Sequence, residues 1–290
     1  MTRSSGSDDG GRNALTVRSA APDDGAMTTR THFDSLLGEG LTVDVEAQWG
    51  AGFLDGRYLP GRPSWTWPEL ARPFLHGADR LLDMGTGDGA WLRALEPWPA
   101  CTIAYEEWWP TVPAAVATLR PHGAHLVVCL GADDNPASER TRPRLPFAPA
   151  SFDVITNRHE SFDAHEMRRL LRPGGSFVTQ QVSGEEETSV RALLGLDPQA
   201  RGDPWTLAVA QSELTGAGLV LDAGVEERLT TRFTDIAAFV AYVRSVPWSV
   251  PELDAKLMRD RLAELHDRCV RDGAIEAVTP RFWLVARRPS

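Results

Sequence analysis

Apolar runs and helical segments alternate through the middle of the chain. Short runs rich in Val, Ile and Leu predict five strands, at 80–84, 101–106, 125–132, 152–158 and 174–182. Helical patterns lie between most of them, at 88–98, 111–120 and 165–171. Strands that alternate with helices form a parallel sheet with helices on both faces, and continuous apolar content fits strands that are buried on both sides. The pattern therefore predicts an α/β fold.

The last third of the chain is less regular. It predicts, in order, a helix over 204–218, a long strand over 219–233, an amphipathic helix over 233–246 and a last strand over 275–288. A capping box at 249–252 predicts one more helix before that last strand. The apolar stripe of this helix consists of Leu253, Leu257, Leu262 and Leu265. We interpret 231–272 as a helical insertion beyond the minimal fold.

The first 76 residues divide into two parts of opposite character. Residues 1–28 are rich in Ser, Gly, Asp and Arg and predict a disordered tail, in which Met27 is an alternative start. Residues 29–76 carry many large aromatic side chains, and they are interpreted either as a helical cap on the sheet or as an aromatic lid over a ligand. We expect a single domain over 29–290, with this segment and the insertion as a roof over the site.

The composition narrows the class of protein. Of the 290 residues, 42% are hydrophobic, which is ample for one large domain. A net charge of −10 repels polyphosphate backbones and disfavours a dedicated nucleic-acid-binding protein. Three cysteines without CxxC spacing, no apolar run of the ~18 residues that a membrane span needs, and no apolar signal core predict a soluble cytoplasmic protein. The oligomeric state stays open.

A glycine-rich loop follows the first of the five strands. Gly85, Gly87 and Ala90 match the G-x-G-x-x-A form of a dinucleotide-binding fingerprint. Asp83 and Asp88 argue against a pyrophosphate there, because each carboxylate would repel it by roughly 1–4 kcal/mol at ~4 Å. S-adenosylmethionine (SAM) carries a sulfonium and an ammonium group, so it has the opposite preference. The charge pattern therefore favours SAM over a dinucleotide.

Residues 83–89 resemble motif I of the class I SAM-dependent methyltransferases, E/D-x-G-x-G-x-G. The stretch 145–160 is similar to the family's segment before and through its fourth strand, and 171–175 matches the family's L-x-P-G-G turn. The chain thus resembles this family, in its type 11-like branch. The resemblance implies a Rossmann-like sheet, mainly parallel with an antiparallel last strand, and a cofactor-binding core over 77–182.

The resemblance also implies which residues hold the cofactor. The expected contacts are Asp83, Gly85, Thr86, Gly87, Glu106, Asp133 and Asn157. Glu106, with Glu107 as the neighbouring candidate, is expected to bind both ribose hydroxyls. Asp133 is expected near the adenine amine, with Asp134 or the backbone of Ala132 as alternatives, because the polar stretch that follows is longer than a compact family member needs. No metal is predicted.

The acceptor side of the site carries weaker signals. The fourth strand ends in Asn-Arg-His-Glu, which is not the N/D/S-P-P-Y/F/W tetrapeptide of adenine- or glutamine-methylating enzymes, and the chain has no Pro-Cys nucleophile for cytosine. His159, with an ordinary pKa near 6.5, and Glu160 are the candidate catalytic residues. Alternatively, either side chain hydrogen-bonds the following loop. Gln180 and Gln181 are candidates for lining the pocket or for satisfying backbone groups.

The leading hypothesis is a SAM-dependent methyltransferase that transfers a methyl group to a small-molecule acceptor by in-line displacement. The acidic charge and the predicted cap favour a small molecule over RNA. Three alternatives stay open: a nucleic-acid methyltransferase, an NAD(P)-dependent oxidoreductase and a non-catalytic SAM-binding protein. The identity of the acceptor, the atom that is methylated and the need for a general base also stay open.

Overall fold

The structure is a computed structural model that describes residues 24–45, 52–131, 144–200, 202–251 and 253–290, with side chains from residue 31. Most of the predicted tail lies outside these ranges, and a helix begins at Asp24, inside that predicted tail. Among the described helices, none combines the length and the apolar character that crossing a membrane requires.

The strands of these ranges are β1 Tyr58–Leu59, β2 Arg80–Met84, β3 Cys101–Glu106, β4 His125–Val128, β5 Phe152–Arg158, β6 Leu171–Val182, β7 Val220–Glu227, β8 Thr230–Phe233, β9 Ile275–Val278 and β10 Arg281–Arg287. The helices are α1 Asp24–Thr42, α2 Trp67–Leu75, α3 Ala90–Arg93, α4 Val112–Leu119, α5 Ala164–Leu170, α6 Glu185–Leu193, α7 Leu207–Gly216, α8 Ile236–Ser245 and α9 Arg259–Asp272. A 3₁₀ turn, Arg120–His122, follows α4.

Seven of these strands form one sheet in the order β4-β3-β2-β5-β6-β10-β7. The first five run parallel, whereas β10 is antiparallel to both β6 and β7. The predicted α/β class, the mainly parallel sheet and the antiparallel last strand are therefore confirmed. This order places the carboxyl ends of β2, β3, β5 and β6 side by side at one edge of the sheet.

Helices cover both faces of the seven-stranded sheet. On one face, Leu81 and Val154 pack with Trp67 of α2. On the other face, Ile155 packs in a cluster with Met167 of α5. Neighbouring strand residues thus supply two different cores, and this is why the strands appear in the sequence as continuous apolar runs.

Two predicted strands each prove to be a pair of strands, so those predictions are wrong. After β7 the chain leaves the main sheet, and β8 pairs with β1 and β9 in a separate antiparallel sheet of order β1-β8-β9. The predicted strand over 275–288 contains both β9 and β10. Pro280 interrupts it, because proline has no N–H for a ladder hydrogen bond.

Two predicted helices also differ from the structure. Helix α8 lies within 233–246 but is not amphipathic, since every residue from Ile236 to Val243 is buried. The capping box at 249–252 does not begin a helix, because α9 begins at Arg259 and Leu257 is 84% exposed. The carboxylate of Asp254 instead accepts backbone hydrogen bonds in a turn before α9.

Helices α1, α8 and α9 and the small sheet share a third hydrophobic core. Its large members include Phe33, Leu37, Phe233, Phe239, Leu262 and Leu265. The N-terminal segment and the insertion therefore pack on each other, and the insertion contains β8 as well as the helices. The connection from β1 to α2 returns along the carboxyl edge of the main sheet, where the backbone N–H of Ser64 donates to Glu227 at 2.9 Å.

Candidate functional site

The carboxyl edge of the sheet carries the glycine-rich loop between β2 and α3. Parallel strands direct their carboxyl ends to one edge, which is where open α/β sheets bind ligands. Gly85 and Gly87 have φ angles of 59° and 61°, in the left-handed region that only glycine adopts at little cost. The loop can therefore turn tightly, and its backbone is open to a ligand.

Asp83 lies beneath this loop and is only 5% exposed. The hydroxyl of Thr156, on the neighbouring strand, donates to its carboxylate at 2.7 Å. Burial raises the pKa of Asp83 to about 6, and the Thr156 hydrogen bond offsets part of that rise. The buried carboxylate therefore costs folding free energy when it is ionised, and in this form it would attract a cation.

Glu106, at the end of β3, binds the glycine loop through its buried side chain. One carboxylate oxygen accepts from the backbone N–H groups of Glu107 and Trp108, at 2.9 and 2.8 Å. The other accepts from Gly87 N–H at 2.6 Å. A carboxylate has about four acceptor positions, so three are used and one remains for a ligand hydroxyl. The predicted contact with both ribose hydroxyls needs two acceptor positions, so with these three bonds in place Glu106 has room for one of them.

The second carboxylate of the motif behaves differently. Asp88 is exposed, and its side chain accepts from the backbone N–H of Ala90 at 2.9 Å, at the start of α3. Thr86 is buried, and its backbone N–H donates to the backbone oxygen of Tyr105 at 3.0 Å. Of the two aspartates that the sequence analysis weighed, only Asp83 lies under the loop.

Glu160 fills the space above Gly85. A Cβ at position 85 would lie 2.6 Å from the Cβ and Cγ of Glu160, so only glycine fits there. The backbone of His159 brings Glu160 to this position, because its φ of 63° is a left-handed conformation that is uncommon in residues other than glycine. Strained backbone of this kind often marks functional sites.

Further carboxylate and hydroxyl groups gather beside Glu160. A Cβ at Gly131 would lie 2.8 Å from the hydroxyl of Tyr105, 3.0 Å from Glu160 Oε1 and 3.1 Å from Glu107 Oε2. Burial and these two carboxylates raise the pKa of Tyr105 well above its ordinary value, and likewise raise the pKa of Cys129 to about 11. The carboxylates of Glu107 and Glu160 are therefore close enough to Tyr105 and Cys129 to raise the pKa of both.

Asn157, at the end of β5, is fully buried beside the same loop. Its side-chain oxygen accepts from Gln181 at 2.7 Å and from Thr179 at 3.0 Å. Its Nδ2 donor has no hydrogen-bond partner in the described part of the chain. Gln181 also donates to the backbone oxygen of Glu160 at 2.9 Å, so it holds both residues in place. A buried amide donor without a partner fits a contact with a ligand.

His159 directly follows β5 at the carboxyl edge of the sheet, and its side chain is solvent-exposed. Its Nε2 lies 3.1 Å from Nε2 of Gln180, and Oε1 of Gln180 accepts from the indole N–H of Trp65 at 3.0 Å. The surrounding protein and the positive charges of Arg158 and Arg281 hold the pKa of His159 well below its ordinary value. The imidazole is therefore neutral at pH 7.

Arg158 is a partly buried cation on the same strand end. Its guanidinium lies 3.8 Å from the ring centroid of Trp91. Burial, with a contribution from Arg281, lowers the pKa of Arg158 to about 10. In the described part of the chain, the Nε of Arg158 has no hydrogen-bond partner and its guanidinium forms no ion pair with a carboxylate. The carboxylate of Asp83 nevertheless acts on it electrostatically.

The sequence-predicted residues gather at one edge, with one exception. The structure brings together Asp83, Gly85, Thr86, Gly87, Glu106, Asn157, His159 and Glu160. Asp133 and its alternatives Ala132 and Asp134 lie outside the described residues. Trp65 and Arg158 also lie at this edge, although neither was predicted as a site residue from the sequence. The position of Arg158 next to His159 could have indicated it from the sequence. Nothing in the sequence distinguishes Trp65 from the many other aromatic residues of the cap.

Comparisons with known proteins show the fold. No family model matches the chain, and no curated protein matches it. A putative methyltransferase from Bacillus halodurans has a similar structure, with a TM-score of 0.55 and 15% identity over 77% of this chain and 99% of that one. The YcgJ protein of Bacillus subtilis is similar at a TM-score of 0.54 and 16% identity, over 77% and 98% of the two chains. The seven-stranded sheet thus has the Rossmann-like fold of class I methyltransferases.

Proposed function

We propose that the protein is a SAM-dependent methyltransferase that acts on a small-molecule acceptor in the cytoplasm. The observation that carries the proposal is the charge around the glycine loop, where Asp83, Glu106, Glu107 and Glu160 gather. A pyrophosphate would be repelled by these carboxylates, whereas a sulfonium and an ammonium group would be attracted. Three cysteines that are unpaired in the structure support the location.

The residues of the loop fit SAM in their chemistry. Glu106 has one unused acceptor position for a ribose hydroxyl, and the Nδ2 of Asn157 offers a buried donor. Asp83 and Glu160 supply negative charge for the cationic end, while Asp133 stays the candidate for the adenine amine. When bound, SAM supplies an electrophilic methyl group whose bond to sulfur breaks with the electron pair left on sulfur. The enzyme's main contribution is then to align the acceptor.

Calorimetry on the full chain tests the cofactor. We expect S-adenosylhomocysteine to bind and NADH to give no heat of binding. Glu106→Gln should weaken S-adenosylhomocysteine binding by about 10–100-fold, because a hydrogen bond to a charged group is lost. Asp88→Asn is the matched control, since that exposed carboxylate only caps the start of α3. Binding of NADH instead, or equal losses in both variants, would overturn the proposal.

The acceptor requires a separate experiment. Labelled SAM should be incubated with the protein and a metabolite extract, and the products searched by mass spectrometry for a gain of one methyl group in place of hydrogen. A labelled small molecule is the expected result. Label transferred to RNA, in a reaction that salt suppresses, would indicate a nucleic-acid methyltransferase. Tight cofactor binding without any labelled product would indicate a non-catalytic SAM-binding protein.

A further inference from the structure

Trp65 fixes the orientation of the Gln180 side chain. An indole N–H is only a donor, so the atom that it meets at 3.0 Å must be the carbonyl oxygen of Gln180. The amide nitrogen of Gln180 therefore faces His159. Gln180 is 6% exposed, and its backbone oxygen also accepts from His159 N–H at 2.9 Å, which keeps the two residues in register.

The orientation of Gln180 in turn fixes the tautomer of His159. An amide NH₂ group donates, so the Nε2 of His159, at 3.1 Å, must accept and carries no proton. The proton of the neutral ring is then on Nδ1. This Nδ1–H makes no hydrogen bond to any described residue, and it belongs to an exposed side chain at the carboxyl edge of the sheet. This edge therefore presents a fixed donor and not a free basic nitrogen.

Two arginines place positive charge near His159. Arg158 forms no ion pair in the described part of the chain, although the carboxylate of Asp83 acts on it electrostatically, whereas Arg281 pairs with Glu186 at 2.6 Å. Both arginines are close enough to His159 to lower its pKa. A guanidinium that forms no direct ion pair, beside a fixed N–H donor, is an arrangement that binds an anionic oxygen.

We propose that the methyl acceptor is a molecule with a carboxylate or another anionic oxygen, bound by the Nδ1–H of His159 beside Arg158, with Gln180 and Trp65 as positioning residues. This inference rests on the proposed methyltransferase function. An anionic oxygen already has the lone pair that attacks the methyl carbon and has no proton to lose. The new bond joins that oxygen to the methyl group, and the electron pair of the broken bond stays on the cofactor's sulfur. No general base is needed, so His159 acts here as a donor.

The tautomer can be tested without turnover. In ¹⁵N NMR spectra of the ligand-free full chain, with His159 assigned by His159→Gln, we expect a protonated Nδ1 and an unprotonated Nε2. Trp65→Phe frees the amide of Gln180, and it should shift the tautomer ratio toward protonated Nε2 by about fivefold, the effect of one neutral hydrogen bond. Gln180→Glu should reverse the pattern, because a carboxylate accepts a hydrogen bond from a protonated Nε2.

Trp98→Phe is the control, because it removes the same kind of indole hydrogen bond, to Leu92, elsewhere in the molecule. Its spectrum at His159 should match that of the unaltered chain. An Nε2-protonated ring in the unaltered chain, or an equal change in Trp98→Phe, would overturn the positioning role. Since the measurement needs no cofactor, this result is independent of the calorimetry with S-adenosylhomocysteine.

The anionic acceptor is tested with small probes on the chain saturated with S-adenosylhomocysteine. Acetate should shift the Nδ1–H resonance of His159 in a saturable manner, and methylammonium should not. Arg158→Gln should weaken the acetate response by about tenfold or more. No response to acetate, or an equal response to methylammonium, would overturn the proposal. Failure of the chain to bind S-adenosylhomocysteine at all would instead count against the proposed function.

Discussion

At the scale of single residues, Asp83 shows a conflict between function and stability. Its pKa is raised to about 6 in the folded protein from an ordinary value of 3.8, so the folded state loses stability as the pH rises from the lower to the higher of these two values. At pH 7 the carboxylate is ionised, and its full cost in folding free energy is present. Asp83→Asn should therefore raise the free energy of unfolding at pH 7 by about 1–3 kcal/mol, measured by urea denaturation. A less stable variant would contradict this prediction.

The same titration should appear in cofactor binding. A cation needs the ionised form of Asp83, so the affinity for S-adenosylhomocysteine, which keeps the ammonium group, should fall as the pH drops below about 6. The limiting slope is about tenfold per pH unit. Calorimetry from about pH 5 to about pH 8, a range that spans the pKa of Asp83, would measure this dependence of affinity on pH. In Asp83→Asn the binding should be weaker at pH 7 and should lack this slope.

Parts of the site that depend on short sequence spacing were predictable. Asp83 and the glycines stand within one motif, and Glu106 stands at a recognisable strand end. The bond between Trp65 and Gln180 joins residues 115 positions apart, and only the fold brings them together. The proposed tautomer of His159 depends on that bond, so the sequence offered a histidine but not the position of its proton.

At the scale of elements, the loop after β2 is shaped by the contact between Gly85 and Glu160. Gly85→Ala should be destabilised twice, by the left-handed φ and by overpacking against Glu160. Gly77→Ala is the matched control, because Gly77 has a φ of 77° and open space around it. Urea denaturation should show a loss larger by about 1–3 kcal/mol for Gly85→Ala.

The double variant separates the two costs. Adding Glu160→Ala to Gly85→Ala should remove the stability loss that comes from overpacking and leave the loss that comes from the left-handed backbone. The double variant should then lose about as much stability as Gly77→Ala. No recovery in the double variant would show that Glu160 does not limit the size of residue 85. Affinity for S-adenosylhomocysteine, measured on the same proteins, would report what the loop contributes to binding.

Strands were predicted better than the elements outside the parallel core. The bounds of β2, β3 and β5 agree with the predicted runs, because strands buried on both faces have an unbroken apolar sequence. Helix α6 was not predicted, since its first turn carries three glutamates and its apolar pattern is weak. Strand β8 was merged with β7 because nothing in the local sequence marks the change of sheet.

At the scale of the whole molecule, α1 docks on α9 through a buried histidine. His266 is 2% exposed, neither ring nitrogen has a partner among the described residues, and its ring lies 5.6 Å from those of His32 and Phe33. Burial lowers its pKa, His32 lowers it further, and Asp267 and Asp235 oppose this in part. The folded state thus disfavours the protonated ring.

His266 should therefore make folding sensitive to acid. The unfolded chain takes up a proton below an ordinary pKa of about 6.5, so this contribution to stability is lost as the pH falls through that value. Relative to the unaltered chain, His266→Phe should gain up to about 1.4 kcal/mol per pH unit in the free energy of unfolding below that point. Phe33→Leu, which alters the same contact without a titratable group, should change stability by a similar amount at each pH.

The candidate site contains both carboxylates and the guanidinium of Arg158, and this has a consequence for turnover. In the proposed reaction a cation on the carboxylate side and an anion on the arginine side are converted into a thioether and an ester, neither of which carries net charge. The sulfonium and the anionic oxygen thereby lose their charges at the same instant, while the ammonium group of the spent cofactor keeps its attraction to Asp83. The site would then bind the reactants more tightly than the products, and the methylated acceptor would depart without a separate device to expel it.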